Sequence, residues 1–171
     1  VLVDDGAGGT LRKSAMSRVK TYVGTNTPYF YAYSTSGQTI SHATETKKTF
    51  TTKIESDSGV FDLTNDKFTV VTAGKYFLTF NVYGYDSDND MTRLDIWVKV
   101  NGTQIQKFTM NFYTDQDARD LSVGNSFIAD LDTDDYVEMF VYQSTSDSGT
   151  ISLEGSATVP SGYFSGFKLT E

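Results

Sequence analysis

Three aspartates alternate in the segment Tyr85-Asp86-Ser87-Asp88-Asn89-Asp90. Hard carboxylate oxygens in such a run are the donors that calcium takes, so Asp86, Asp88 and Asp90 are candidate calcium ligands. The spacing matches the start of an EF-hand loop. Met91 stands where that loop needs glycine, and Trp97 where it needs a bidentate glutamate, so an EF-hand is excluded. Two more acidic clusters follow, Asp115/Asp117/Asp120 and Asp130/Asp132/Asp134/Asp135. For any one loop, solubilising charge between strands accounts for the acids more simply than a metal does.

Nucleophilic chemistry has little to work with. His42, in Ser41-His42-Ala43-Thr44, is the sole histidine, so any Ser/His/Asp triad must use it. No nucleophile-elbow pattern accompanies it, and a surface loop histidine is the simpler reading. There is no cysteine, which removes disulfides, thiolates and Cys/His zinc sites. Hydrolysis of a polysaccharide by paired carboxylates is the least supported class, because abundant Asp makes pairs by chance. Asn101-Gly102-Thr103 fits a glycosylation sequon, but a type I′ hairpin turn explains Asn and Gly there fully.

The elements that position these residues read as strands. The 171 residues suggest one main domain, and 38% hydrophobic with 14% aromatic residues is enough for a core. Thr, Ser, Tyr, Phe and Val dominate, which is strand chemistry. The net charge of −8 repels phosphate, so no nucleic-acid partner is expected. No run of about 18 apolar residues occurs, so no membrane insertion is expected either. No secretion signal is visible and the first residue is Val1, so a mature product or a C-terminal fragment of a longer chain is expected.

Residues 1–27 read differently from the rest. Val1-Leu2-Val3, the glycine-rich turn 4–9 and Thr10–Lys13 suggest a hairpin. Ser14 then caps a short helix over 15–23, with Met16, Val19 and Val23 on one stripe and Gly24 as its stop. Asn26-Thr27-Pro28 marks a boundary, giving a connector over 1–27 and an all-β domain over 28–171. Strands are expected at 29–33, 48–54, 60–63, 67–71, 75–83, 93–100, 103–110, 121–131, 136–143, 150–154 and 162–170, spaced as in a sandwich or barrel. In 94–100 the aliphatic Leu94, Ile96, Val98 and Val100 alternate with Trp97. In 136–142 Val137, Met139 and Val141 alternate with Phe140 and Tyr142. The aliphatic set belongs in the core, and outward Trp97, Phe140 and Tyr142 suggest an interface. The strand 76–83 is apolar on both faces, so both should be covered, one by the second sheet and the other by a subunit.

Two aromatic-glycine patterns carry a family likeness. The first runs Phe61-Asp62, Asn65-Asp66, Phe68-Thr69 and Gly74-Lys75-Tyr76-Phe77-Leu78-Thr79-Phe80. The second is Tyr163-Phe164-Ser165-Gly166-Phe167-Lys168-Leu169. With Asp134-Asp135-Tyr136-Val137 between them, they resemble the globular C1q domain and its tumour-necrosis-factor relatives. Departures are Ala73 for the usual proline and Asp134 for glycine. The resemblance spans about residues 29–171 and implies a jelly roll of about ten strands in a tight homotrimer. It implies aromatics along the threefold axis, for which Tyr76, Trp97, Phe140, Tyr142 and Phe164 are the candidates. It also implies that calcium, the one cofactor considered, could sit on apical loops.

A second likeness is to connectors in marine bacteriophage structural proteins, carried by Leu2-Val3-Asp4-Asp5-Gly6, Leu11-Arg12-Lys13 and Val19-Lys20-Thr21-Tyr22-Val23-Gly24. No collagen repeat is present. Together these imply a virion component, the head of a tail or capsid fibre. It would attach to other virion proteins through 1–27 and bind a host-surface glycan or protein through its loops. The loops are 86–92, 113–120 and 144–149, with Tyr113, Asp115, Asp117 and Ser146 as candidate contacts. A purely structural decoration protein and a secreted C1q-like adhesion or carbohydrate-binding module are the alternatives.

Overall fold

A computed structural model describes residues 2–4, 11–13, 28–56, 60–112 and 118–169. Every element in it is a strand. Strand β1 (Leu2–Asp4) pairs antiparallel with β2 (Leu11–Lys13), which is the expected hairpin. The expected helix over 15–23 lies outside the described residues.

The rest is a sandwich of a six-stranded and a seven-stranded antiparallel sheet. The chain runs β3 (Tyr29–Tyr33), β4 (Gln38–Ser41), β5 (Thr46–Lys47), β6 (Thr52–Glu55), β7 (Phe61–Asp62), β8 (Lys67–Thr69) and β9 (Gly74–Tyr85). It continues through β10 (Met91–Val100), β11 (Thr103–Asn111), β12 (Asp120–Leu131), β13 (Tyr136–Thr145), β14 (Thr150–Leu153) and β15 (Tyr163–Lys168). The first sheet has the order β11-β10-β13-β8-β7, with β5 also on β13. The second has β4-β14-β9-β15-β3-β6, with β12 on the other side of β9. Sequence neighbours that are not sheet neighbours, such as β14 and β15, which lie end to end along one edge of β9 with β12 on its other edge, are what a jelly roll requires.

Period-two alternation builds the core. In β9 Tyr76, Leu78, Phe80 and Val82 point inward; in β10 Leu94, Ile96 and Val98; in β13 Val137, Met139 and Val141. Phe164 stacks on Phe80 at 4.5 Å between ring centres and meets Phe30 edge-on at 4.7 Å. Each such buried ring contributes roughly 1.5–3 kcal/mol by leaving water. Gly166, beside Phe164, is where strands close up. A Cβ there would lie 3.0 Å from the Phe77 carbonyl oxygen and 2.6 Å from Leu78 Cδ2.

The sandwich has two poles. Pro28, where the described domain begins, accepts the N–H of Lys168, and Leu169 donates to Lys75. This pole therefore lies at the Gly74 end of β9. At the Tyr85 end three loops meet. Asp86 N–H donates to Arg119 O, Met91 and Ala118 exchange two backbone bonds, and Ser146 N–H donates to Asp90 O. The twelve residues of β9 separate the poles by roughly 40 Å.

Candidate interaction surfaces

Trp97, Phe140 and Tyr142 do face outward from the six-stranded sheet, with Trp97 opposite Phe140 in the ladder. Trp97 and Tyr142 stack with ring centres 5.5 Å apart and planes 7° apart. Lys107 lies over Trp97 at 5.5 Å, Arg93 over Tyr142 at 5.0 Å and Lys99 over Phe140 at 4.2 Å. The cations are themselves anchored. Arg93 gives Nε and Nη2 to the buried Asp95, Lys107 approaches the same carboxylate at 3.4 Å, and Lys99 pairs with Glu45. Each cation–π contact contributes about 0.5–1 kcal/mol at such sites. These rings are thus half-buried and covered by the chain's own cations.

Two of the expected axis residues are corrected by burial. Tyr76 and Phe164 lie in the core of the single chain, 1% and 0% exposed, and offer no surface to a neighbour. Tyr76 shares its inward face with Leu78 and Phe80, and its hydroxyl donates to Thr72 O at 2.7 Å. Burial pushes its pKa up to about 12.

Tyr29 and Phe167, the two most exposed aromatics among the described residues, lie on the outer face of the other sheet. The ladder aligns Tyr29, Phe167 and Phe77 with Ile128 of β12 in one row across four strands. Tyr29, Phe167 and Ile128 are 48%, 46% and 59% exposed. The row above aligns Ile54, Tyr31, Ser165, Thr79 and Ser126, and the next brings Tyr33 and Tyr163 together. Tyr31 contacts both Tyr33 and Tyr163, and Phe77 contacts Phe167. Burial first, then the neighbouring Tyr163 and Tyr33, raises the Tyr31 pKa. Small residues between the rings leave an open hollow of about 570 Å³ near Tyr29 and Phe167. Of this surface, the sequence points only to the strand 76–83, whose second apolar face includes Phe77 and Tyr83. The alternation of Tyr29, Tyr31 and Tyr33 with Phe30 and Ala32 carried the rest of the signal.

At the loop pole the candidate calcium ligands do not converge. Asp86 is buried; its Oδ1 accepts Asp88 N–H at 3.2 Å and its Oδ2 accepts Asp90 N–H at 3.0 Å. Asp88 is exposed. Asp90 turns instead to the β13–β14 turn, where its Oδ2 accepts Asp147 N–H at 3.1 Å. The alternation therefore builds a turn. Among the described residues no three acids or histidines are arranged to hold a metal. Loops 86–92 and 144–149 are brought together, and residue 118 of the third loop joins them. Ser146 is exposed there; Tyr113, Asp115 and Asp117 lie outside the described residues. Nearby, His42 Nδ1 accepts Thr145 N–H at 3.2 Å, a structural contact. At the other pole Asn101 takes φ 51° and Gly102 φ 77°, as the expected hairpin turn requires.

No family model and no curated protein matches the sequence. Solved structures do match in shape. The globular domain of zebrafish complement 1qA is 17% identical, with TM-score 0.56 over 84% of this chain and 98% of that one. Eiger TNF from S. frugiperda is 13% identical, with TM-score 0.59 over 85% and 92%. Murine APRIL is 14% identical, with TM-score 0.57 over 84% and 99%. At these identities the likeness speaks to architecture, and it agrees with strand order, poles and core: the chain carries the jelly-roll fold of the C1q and TNF globular domains.

Proposed function

We propose that the protein is a non-enzymatic binding head that works as a homotrimer. The observation that carries this reading is the uncovered row of Tyr29, Phe167, Phe77 and Ile128 with the tyrosines above it. A patch of this kind on a sheet face marks an interaction surface. It runs out to β12, which pairs only with β9 among the described strands. A patch beside an open edge suits a head-to-tail contact, in which the face of one copy receives the edge of the next and three copies close a ring. The number three rests on the resemblance to C1q and TNF domains. Trp97, Phe140 and Tyr142 then lie on the outside of the ring.

The setting we propose is a virion, with this domain as the globular head of a phage tail or capsid fibre. Residues 1–27 would attach it to other virion proteins. In support, the chain reaches the domain at Pro28, at the pole opposite the clustered loops. Three copies of those loops would present three equal sites to a host-surface glycan or protein and gain avidity.

Sedimentation velocity tests the assembly. The expected mass is three times the 18.9 kDa chain. Phe167→Asp is expected to give monomers and Phe140→Asp to remain trimeric. A monomeric wild type removes the proposal, and dissociation by Phe140→Asp alone moves the interface to the six-stranded sheet. Binding to host cells by the trimer, lost in monomeric Phe167→Asp, tests the avidity claim.

A further inference from the structure

At the loop pole the outer face of the seven-stranded sheet carries another hollow, of about 200 Å³. Period two decides which side chains reach it. Gly84, Ile151 and Ile40 lie on the core side, so Tyr85 of β9, Thr150 and Ser152 of β14 and Thr39 of β4 point out. The ladder sets Thr39, Ser152, Tyr85 and Asp120 in one row across four strands. Ser87, just beyond β9, also lines the hollow.

Strands β12 and β14 pair with opposite edges of β9, so the two faces of the Tyr85 ring meet different surroundings. On the β12 side Arg119 lies over the ring at 5.8 Å, and its Nε donates to Asp120 Oδ2 at 2.6 Å. On the β14 side lie the hollow and its hydroxyls. The guanidinium thus backs the ring and leaves its other face as a platform.

The lining defines the ligand. Each hydroxyl of Thr39, Thr150 and Ser152 can both donate and accept, and none is taken by a protein group among the described residues. Ser87 donates to Asp88 at 3.4 Å. A Cβ at Gly37 would come within 3.2 Å of Ser152 Oγ, so glycine there keeps that hydroxyl uncovered. No charged side chain lines the hollow, and Arg119 sits behind the ring, paired with Asp120. A fitting partner has one flat C–H face for the ring, hydroxyls around its edge and no charge. It is also small, because about 200 Å³ falls short of the roughly 300–1,000 Å³ that a drug-sized molecule fills. A single neutral pyranose ring has this shape and chemistry.

We propose that this hollow is a sugar-binding subsite, in which a neutral pyranose stacks on the free face of Tyr85 and exchanges hydrogen bonds with Thr39, Thr150 and Ser152. The proposal rests on the reading of the loop pole as the binding end of the head, and names the ligand class there. The Phe77 row lies eight residues back along β9, roughly 26 Å away, so assembly through that row leaves the hollow open. Every residue of the subsite comes from one chain, so a single copy binds. One ring per copy is a weak ligand, which three copies reinforce.

Amide NMR with glucose, galactose, mannose and N-acetylglucosamine tests this. At least one sugar is expected to shift the amides of Tyr85, Ser87, Thr150 and Ser152, with a Kd of roughly 1–10 mM. Tyr85→Ala should abolish the shifts, and Tyr85→Phe should keep the Kd within about twofold, since the ring rather than its hydroxyl carries the contact. Thr39→Val should weaken binding roughly 3–10-fold, the worth of one hydrogen bond. Phe167→Asp should bind the sugar as the wild type does, which separates the subsite from the assembly. A wild type that is monomeric and still shows these shifts keeps the subsite, whereas a trimer that shows none up to about 100 mM sugar overturns it. Binding that survives Tyr85→Ala, or that requires a sialylated or sulfated sugar and vanishes in Arg119→Ala, also overturns the proposal. So does host-cell binding that protease treatment of the cells removes and Tyr85→Ala leaves unchanged, since the pole would then hold a protein.

Discussion

Asp95, fully buried on β10, accepts the indole N–H of Trp97 from two residues along the same strand at 3.1 Å. The same carboxylate holds Arg93 and Lys107, whose cations lie over Tyr142 and Trp97. One buried charge thus fixes both rings and both cations. Burial alone would raise its pKa, but the bonds from Arg93, Trp97 and Thr109 outweigh that and hold it below the ordinary carboxylate range.

Asp95→Ala is expected to cost about 3 kcal/mol in chemical denaturation, because it leaves an indole N–H and two cations without their acceptor. Asp95→Asn should cost less, since the carbonyl oxygen still accepts from Trp97. A depressed pKa stabilises the fold above the ordinary value of 3.8, and that contribution is lost as pH falls through the lower folded value. The acid limb of the wild-type stability curve should therefore flatten in Asp95→Asn. A cost of Asp95→Ala under about 0.5 kcal/mol would show that water replaces the anchor.

Lys48 is a buried cation of the opposite kind. Its Nζ donates to Ser34 Oγ at 2.6 Å, Thr49 O at 2.8 Å and Gln38 Oε1 at 3.4 Å. Burial lowers its pKa to about 8, against a smaller raising effect from Asp66. The unfolded chain then binds more protons than the folded one between about 8 and 10.5, so stability should rise with pH across that window. Lys48→Met removes the desolvated charge without orphaning its partners, because Ser34 still donates to Thr49 O and Gln38 Oε1 still receives Thr49 N–H. Thermal melts at neutral pH should show a gain of about 1–2 kcal/mol and no rise toward pH 10. A loss at neutral pH would mean that the amine bonds outweigh its desolvation.

Gly166 tests the closeness of β15 to β9. Its φ is not in the left-handed region, so only space forbids a side chain. A methyl there would press on Leu78, on the Phe77 carbonyl and, at 3.1 Å, on Phe30 Cε1. Gly166→Ala should cost roughly 1–3 kcal/mol, as overpacking does. Gly74 differs, because its φ of 142° strains any L residue there whatever the space, although the added carbon would meet only the Lys168 side chain. A negligible loss in Gly166→Ala in denaturation would show that β15 can move aside.

How much of this was legible in the sequence depended on periodicity. The long strands β9, β10, β12 and β13 announce themselves because one face is largely apolar, interrupted by Asn125 in β12 and ending in the buried Gln143 and Thr145 in β13. Strand β4 was missed because Gln38-Thr39-Ile40-Ser41 buries Ile40 alone as its apolar side chain, and β5 because two residues carry no period. The outward direction of Trp97, Phe140 and Tyr142 was also readable. That Lys107, from the neighbouring strand β11, covers Trp97 was not, since strand pairing decides it. Tyr76 looks like an interface aromatic when large rings are weighed by type, but its period-two register with Leu78, Phe80 and Val82 already places it in the core, whereas Phe164 shares its face with Gly162 and Gly166 and no such pattern marks it. The contact between Asp90 and Asp147 spans loops far apart in the chain, and no local pattern encodes it.

Asn101 shows how a turn residue can also tie two loops. Its backbone takes φ 51°, which asparagine tolerates better than most residues. Its Nδ2 donates to Asp135 Oδ1 at 2.7 Å, and its Oδ1 accepts Tyr136 N–H at 3.1 Å. The β10–β11 hairpin is thereby fastened to the start of β13. Asn101→Ala loses both bonds and adds backbone strain, so a cost of about 2 kcal/mol is expected. Asn101→Gly loses the bonds but relieves the backbone, so it should cost about 1 kcal/mol. Asn101→Asp keeps an acceptor for Tyr136 but sets a second carboxylate against Asp135, so its penalty should shrink as pH is lowered toward 4, where one of the two becomes protonated. Equal stability of the Gly and Ala variants would show that the side-chain bonds, and not φ, dominate at this turn. A penalty in Asn101→Asp that does not change with pH would show that Asp135 turns away from it.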